Sequence, residues 1–594
     1  MKMGTTNGEI AQLLRRVAAA YQILGENRFK IIAYDRAADS IEHLTSEAKD
    51  LWDNQKLSDI SGIGDAIAKH LDELFRTGSV QHFMSVFKKV PAAVFPLLSV
   101  PGLGPKKAYK LVTELKLDNA AHALDDLEKA IRAGRVAPLE SFGEKSQRDI
   151  LGAIATYRRG LTKENRMELL HADSIAQEVI QHLRKHDSVE RVDSLGSLRR
   201  RVATIGDVDI AVATKKSDAL IDHFLQFPHE KLIERGPKGA TLLLHNGRQV
   251  DLRVQKPKSY GAMLQYFTGS KNHNIKLRSY ALQKGMSLNE YGIKNVKTGQ
   301  LHEFTSEESF YRALGLPFIS PELREDKGEI EQSLRPCGLP KLVELQDIKG
   351  DMHIHTNYQF ESSHDLGTSS LSEHLEKASQ LGYEYIGVSD HNPSITNHTE
   401  EQIVEIMKRR KEAYISMFKK YNTNVHMFIM CEVDILADGT LALPEPALEY
   451  VDAVIVSVHS SFSQGRAKTT ERLLKVLQSH PKVRILGHPT GRLLMSREGI
   501  DVDWSAVFAL CRKRDIALEI NAYPSRLDLP DNLVFEAVKS GNTFCIGTDA
   551  HALDHMNLMG YGVSVARRGW TQKRDIVNAL EYNDFKKWLV KEDI

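Results

Sequence analysis

YIGVSDH, residues 385–391, is an apolar run that ends in a carboxylate and an imidazole. The pattern recurs in VIVSVH at 454–459, RILGH at 484–488 and TFCIGTDAH at 543–551. An apolar run closed by polar residues reads as a buried parallel strand delivering its last side chains to one rim of a barrel. Active sites of strand–helix barrels gather at that rim. Working outward, His353 and His355 stand in GDMHIHT, His364 and Asp365 in ESSHDLG, and Asp390 and His391 in the opening run. Glu432 follows in CEVDIL, then His459, His488, Asp549 and His551. Imidazole mixed with carboxylate suits zinc, manganese or iron rather than calcium. The last 250 or so residues therefore read as an α/β domain with a multinuclear metal centre of hydrolase type.

The whole chain has 594 residues, enough for several domains, and its 42% apolar content is that of a globular protein. Seventy-nine basic and 78 acidic residues nearly cancel, so local charge is more informative. Residues 256–284 hold six Lys/Arg and no acid, with Tyr260, Tyr266, Phe267 and Tyr280 among them. A basic run with interleaved aromatics suits a nucleic-acid surface, the alternative being a solvated helix face. Four cysteines without CxxC spacing exclude a zinc ribbon and a disulfide framework. No apolar signal core opens the chain and no run approaches a membrane span of ~20 apolar residues, so a reducing cytoplasm is the expected setting.

The first 160 or so residues carry a helical pattern with an internal repeat of about 40 residues. LSDISGIGDAIA places Gly62 and Gly64, LLSVPGLGPKKA places Gly102 and Gly104, and LESFGEKSQRDI places Ser141 and Gly143 at matching positions. Small residues allow a tight hairpin, and the helix that follows offers free N–H groups to an anion. Such helix-hairpin-helix units hold DNA by its phosphates without reading sequence. The alternative is a helical array that uses glycine only for packing.

Mixed helix and strand follow from about 165 to 320, with strands at VDSLG, DVDIAVA, ATLLLH and QVDLRV. Asp207 and Asp209 are spaced i, i+2 in an extended run, so both face one side. Asp251 is a third acid in another apolar strand. Three converging acids can hold two divalent ions about 4 Å apart. Upstream, Gly196 and Ser197 form a turn followed by Arg199, Arg200 and Arg201, a place for phosphates. A Pro-containing irregular stretch, 316–349, reads as a linker.

GSLRRRVATIGDVDIAVAT together with YFTGSKNHNIKLR resembles the palm and thumb of the X-family DNA polymerases, the family of DNA polymerase beta. The hairpin repeats are similar to that family's DNA-binding head, and the C-terminal ligand string is similar to the PHP (polymerase and histidinol phosphatase) domain. The resemblance covers nearly the whole chain and matches the bacterial and archaeal branch. It implies a helical head and fingers at 1–160, an α+β nucleotidyltransferase palm at 161–260, a thumb at 261–320, a linker at 321–348 and a distorted (β/α)7-type PHP barrel at 349–594.

The resemblance also implies residue roles. Asp207, Asp209 and Asp251 would be the catalytic carboxylates, with Mg²⁺ or Mn²⁺. Gly196, Ser197, Arg200 and Gly206 would meet the triphosphate, and Tyr266, Phe267, Gly269, Asn274 and Arg278 would form the rest of the dNTP pocket. Gly62, Gly64, Gly102, Gly104 and Gly143 would lie on DNA. His353, His355, Asp365, His391, Glu432, His459, His488, Asp549 and His551 would bind three divalent ions of manganese, zinc or iron; His364 competes with Asp365 for its slot. At the position of the family's Schiff-base lysine stands His70, beside Lys69. An imidazole cannot form a Schiff base, which leaves Lys69 or Lys30 as substitutes.

The implied function is a monomeric, gap-filling repair DNA polymerase acting on gapped or primer–template DNA and dNTPs. A 3′–5′ exonuclease or 3′-end-processing activity, with cleavage at abasic sites, would reside in the PHP domain. Alternatives are a PHP domain that is inactive or hydrolyses small molecules such as histidinol phosphate, and a template-independent nucleotidyltransferase at the palm.

Overall fold

Periodic apolar residues organise the chain into two compact units, Met1–Arg166 and Met167–Ile594. The computed structural model describes residues 7–42, 48–53, 55, 57, 60, 63–100, 103–140, 142–158, 166–421 and 423–590. Among them, no helix is long and apolar enough to cross a membrane. All four cysteines are free, and Cys431, Cys511 and Cys545 are buried.

The first unit is helical. Helix Asp65–Thr77 buries Ile67, Leu71 and Leu74, the i, i+4, i+7 stripe of an amphipathic helix. Helix Pro105–Leu115 buries Ala108, Leu111, Val112 and Leu115 in the same way. Gly64 and Gly104 are the residues before these helices, and both have extended backbone. Among the described residues, nothing beyond the chain neighbours lies within 4 Å of where a Cβ would stand on Gly64, Gly104 or Gly143. Packing against the described residues does not require glycine at these three positions. Gly62, Gly102 and Ser141 lie outside the described residues.

The second unit starts with a five-stranded sheet in the order Arg191–Ser194, Val208–Ala213, Gln249–Gln255, Gly239–Leu243, Lys231–Gly236. The two strands that carry Asp209 and Asp251 are parallel neighbours, and every other pairing is antiparallel. The outermost strand, KLIERG, was not foreseen: it is almost wholly exposed and lacks the apolar signal. Helices Tyr260–Thr268 and Lys271–Gln283 follow, then a small antiparallel sheet of Met286–Asn289, Gly292–Asn295 and Leu301–His302.

The stretch 316–349, expected to be a linker, holds the short helix Glu329–Ser333 and the turns Pro321–Leu323 and Leu345–Asp347, and it is packed rather than free. Leu316, Ile319, Leu323 and Ile330 are buried. Arg324 is fully buried and donates to Glu307 Oε1 at 2.7 Å and to the Ile319 carbonyl at 2.9 Å. The aliphatic side chains share one core with Leu277, Phe310 and Tyr311, each contributing about 1.5–3 kcal/mol, and the ion pairs Lys327–Asp531 and Glu322–Arg567 tie the segment to the barrel.

The barrel has seven parallel strands in sequence order: Gly350–Ile354, Tyr385–Val388, His426–Asp434, Ala453–Ser457, Val483–Leu486, Ala517–Asn521 and Phe544–Gly547. All but the third are buried along their full length, which is why they read as unbroken apolar runs. A parallel bridge between Ile354 and Ala550 ties the first strand to the residues just past the last. At Gly387 a Cβ would lie 2.5 Å from Met352 Cε and 2.7 Å from Met430 Sδ, so two methionines already occupy the space of a side chain.

Candidate active sites

Asp209 and Asp251 are direct partners in the register of the two parallel strands. Asp207 is two residues before Asp209, so the three carboxylates share one side of the sheet. Burial, then the neighbouring Asp207 and Asp251 charges, push the Asp209 carboxyl well above the ordinary carboxylate range. Such mutual repulsion fits a site for divalent cations. Thr241 Oγ1 donates to Asp251 at 2.5 Å and Gln249 Nε2 at 2.8 Å, which fixes its rotamer.

The Gly196 turn presses on the same group. A Cβ there would lie 2.5 Å from Asp209 Oδ2, and φ is +57°. Only glycine combines that backbone with that approach. The three arginines that follow have different partners. Arg199 donates to Glu307 at 2.5 Å and Thr268 Oγ1 at 2.6 Å. Arg200 donates from Nε to Glu325 at 2.9 Å and from Nη1 to the Thr268 carbonyl at 2.5 Å. Arg201 takes both oxygens of Asp173, at 2.7 and 2.5 Å. Arg200 is the one that turns toward Gly269, with Nη1 3.2 Å from where a Cβ would stand on that glycine.

Beyond Gly269 the expected pocket residues touch one another. Tyr266 and Phe267 meet edge-on at 5.0 Å. The Arg278 guanidinium lies 5.1 Å over Tyr266. Asn274 donates to the Tyr266 carbonyl at 2.8 Å and accepts from Gln265 at 2.8 Å. Ser197 belongs to the turn helix Gly196–Arg199, and Gly206 lies between the short strand Thr204–Ile205 and Asp207.

In the barrel, the metal-binding residue types collect at the C-terminal strand ends around Glu432. Its Oε2 faces Nε2 of His353 at 3.1 Å, Nε2 of His355 at 3.5 Å and Nδ1 of His391 at 3.1 Å. Its Oε1 faces Nε2 of His488 at 2.9 Å and Nε2 of His459 at 3.4 Å. Asp549 Oδ1 lies 3.3 Å from His355 and 3.6 Å from His353 and His551. His355 and His551 stack at 4.1 Å.

This donor set fits divalent metals. His353 Nε2, both ring nitrogens of His355, His391 Nδ1, His488 Nδ1, His551 Nε2 and Glu432 Oε2 are buried without a hydrogen bond among the described residues. Buried polar atoms left so are expensive unless an ion takes them. Four overlapping groups of ligand atoms lie close enough to share ions: His353, His355, Glu432 and Asp549; His355, His391 and His551; His391, Glu432 and His459; His364, Asp434 and His459.

The last group contains His364, the residue that competes with Asp365 in the ESSHDLG stretch. His364 Nε2 is 3.0 Å from Asp434 Oδ1, and its ring lies 4.4 Å from that of His459. The Asp365 side chain is 81% exposed at the edge of the same cleft, with Oδ2 3.6 Å from His551 Nε2. Asp390 points away from the ligands: Arg410 holds it at 2.6 and 2.9 Å, and Tyr414 Oη donates to it at 2.5 Å. Arg492, a natural candidate for phosphate because it follows His488, is bound instead to the carbonyls of Arg526 and Leu527. The cations lining the cleft of about 500 Å³ over the cluster are Arg497 and Arg526. Arg526 Nε lies 3.4 Å from Asp549 Oδ2.

Two supporting acids escaped sequence reading. Glu519 accepts from His353 Nδ1 at 2.6 Å and from the His488 backbone N–H at 2.5 Å. Asp434 bonds His459 Nδ1 at 2.6 Å. Burial pushes His459 down, but Glu432 and Asp434 outweigh it and hold it up at about 9. The signals existed: Glu519 is an acid inside the apolar strand ALEIN, and Asp434 lies i+2 from Glu432 on the same strand.

In the helical unit, His70 stacks on His82 at 5.0 Å, and His82 Nε2 lies 2.6 Å from Tyr21 Oη. The Lys30 ammonium sits 4.1 Å over the Tyr21 ring.

An acid-only site on a mixed sheet beside an imidazole-rich barrel defines a two-centre enzyme of phosphoester chemistry. Family models match as a helix-hairpin-helix domain at residues 5–80, a DNA polymerase beta thumb at 263–325 and a PHP domain at 351–522. The chain is 33% identical over 590 residues to the DNA polymerase/3′-5′ exonuclease PolX of Bacillus subtilis, covering 98% of this chain and 99% of that one. It is 24% identical over 356 residues to DNA polymerase lambda of Arabidopsis thaliana, 54% of this chain and 62% of that one. The barrel is 29% identical over 209 residues to a probable phosphatase of Clostridium acetobutylicum, 34% of this chain and 78% of that one. The chain belongs to the X-family DNA polymerases that carry a C-terminal PHP domain.

Proposed function

We propose that this protein extends primers in gapped DNA at the sheet site and trims 3′ ends at the barrel site. The observation that carries the first activity is the side-by-side register of Asp209 and Asp251 under the Gly196 turn. Divalent ions bound there would activate the primer 3′-hydroxyl and steady the leaving pyrophosphate. Asp207 and Asp209 would hold the ions, with Asp251 nearest the hydroxyl. Arg200 and the Gly196–Ser197 turn would take the triphosphate, and Tyr266, Phe267, Gly269, Asn274 and Arg278 would hold sugar and base. Mg²⁺ or Mn²⁺ suits an all-oxygen site.

For the barrel, the arrangement of five imidazoles around both oxygens of Glu432 supports metal-dependent phosphodiester hydrolysis. Manganese, zinc or iron is the matching metal class. The ligands would be the nine residues named from the sequence, with His364 taking the place of Asp365. Arg497 and Arg526 would receive phosphate. Open space at Gly64, Gly104 and Gly143 supports a DNA backbone lying against those turns rather than a packing role. A monomer in the cytoplasm, at the nucleoid, suits such a repair enzyme. With histidine at position 70, strong lyase activity is not expected.

The test is a one-nucleotide-gapped duplex with Asp251→Ala and His353→Ala. Asp251→Ala should abolish extension while keeping gapped-DNA binding; His353→Ala should abolish degradation of a labelled primer while keeping extension. Persistence of either activity in its own variant refutes that assignment. Likeness to the probable phosphatase favours a second reading of the barrel, small-molecule phosphate hydrolysis. Turnover on histidinol phosphate against single-stranded DNA separates the two.

A further inference from the structure

The C-terminal domain reaches into the nucleotide pocket of the polymerase. Arg568, the last residue of helix Met559–Arg568, donates from Nη1 to the backbone carbonyl of Arg200 at 2.7 Å and to Glu325 Oε1 at 2.9 Å. That same carboxylate oxygen accepts from Arg200 Nε at 2.9 Å. Arg568 Nη2 reaches Asp531 Oδ2 at 3.0 Å, which Lys327 also holds at 3.0 Å. The next residue of the loop is gripped by the same helix: Arg201 donates to Ser564 Oγ at 3.2 Å and lies over the Tyr561 ring at 5.1 Å.

The charges alternate along this line as Arg200, Glu325, Arg568, Asp531, Lys327, three cations to two carboxylates. Arg568 is 6% exposed and Arg200 14%, so solvent screens the line weakly. A carboxylate bound to Arg200 alone would cancel its charge and repel a triphosphate. A second guanidinium at the same 2.9 Å from that oxygen divides its charge between two cations and leaves a net positive charge at the pocket.

We propose that Arg568 of the C-terminal domain is a positioning residue for nucleotidyl transfer: by sharing Glu325 and holding the Arg200 carbonyl, it offsets the carboxylate's charge and steadies the Arg200 guanidinium for the incoming triphosphate. This rests on the reading of Arg200 as a triphosphate contact. One half of the molecule thereby sets substrate affinity in the other.

The experiment measures steady-state kcat and KM for the dNTP on gapped duplex with full-length Arg568→Gln, Glu325→Gln, the double variant and Arg200→Gln. Arg568→Gln should raise KM on the order of tenfold with little change in kcat, the scale of one charge-assisted hydrogen bond. Adding Glu325→Gln should bring KM back toward the parent value, because the unshared carboxylate is gone. A purely structural role predicts instead that the double variant is as poor as, or poorer than, Arg568→Gln, and that result overturns the proposal. So does an unchanged KM in Arg568→Gln when Arg200→Gln raises it. An unchanged KM in Arg200→Gln removes the reading of Arg200 and the proposal with it. Exonuclease rate on single-stranded DNA reports whether Arg568→Gln is folded. If it is not, Glu325→Gln alone decides: a lowered KM supports the proposal, and an unchanged or raised KM overturns it.

Discussion

Glu519 accepts a hydrogen bond from Nδ1 of His353 at 2.6 Å, so the other ring nitrogen, Nε2, faces Glu432 and Asp549. A carboxylate behind an imidazole fixes its tautomer and raises its basicity toward a metal. Replacing Glu519 with Gln should lower the affinity of the barrel for divalent metal about 10- to 100-fold. Metal titration followed by elemental analysis checks this. Primer extension, which uses the other centre, should be unchanged. Full metal retention would show that His353 needs no such support.

Metal removal should destabilise the barrel. Seven buried ring nitrogens and carboxylate oxygens make no hydrogen bond there among the described residues. A ligand present at 100 times its Kd adds about 2.7 kcal/mol to stability. Dialysis against a chelator should therefore lower the melting temperature of the barrel transition. Manganese or zinc should restore it, and calcium, which prefers oxygen ligands, should do so poorly. An identical melting curve before and after chelation would count against a loaded centre.

Glu307 anchors the thumb between two guanidiniums, Arg324 at 2.7 Å and Arg199 at 2.5 Å, and is 3% exposed. Burial pushes its carboxyl up, but Arg324 and Arg199 outweigh it and hold it below the ordinary range. Its contribution is therefore complete above the unfolded value of about 4.3 and is lost as pH falls through the lower folded value. Glu307→Ala should cost about 3–5 kcal/mol at pH 7, because Arg324 is left buried without its partner. Urea midpoints of parent and variant, followed from pH 7 to pH 3, should converge on the acid side. A constant gap would show that packing rather than charge makes the difference.

Much of this arrangement was legible in the chain. Apolar runs that end in His or Asp became barrel strands because a strand buried on both faces leaves no alternation to read. Asp207, Asp209 and Asp251 were legible because i, i+2 spacing and strand context constrain where carboxylates point. KLIERG was not, since an exposed edge strand has no apolar signature. The partner of a buried side chain was also hidden: Arg410 on Asp390, and the carbonyls of Arg526 and Leu527 on Arg492, lie on other elements. His364 and Asp365 are adjacent in sequence, and only the loop's path decides which one faces Asp434.

The bridge from Ile354 to Ala550 has a consequence for synthesis. The wall that begins at Gly350 is completed only by residues after the seventh strand, Phe544–Gly547, and those same residues bring Asp549 and His551. A ribosome must therefore deliver the chain past His551 before this ligand cluster can assemble. Products that stop short of Asp549 would lack two members of the cluster around Glu432.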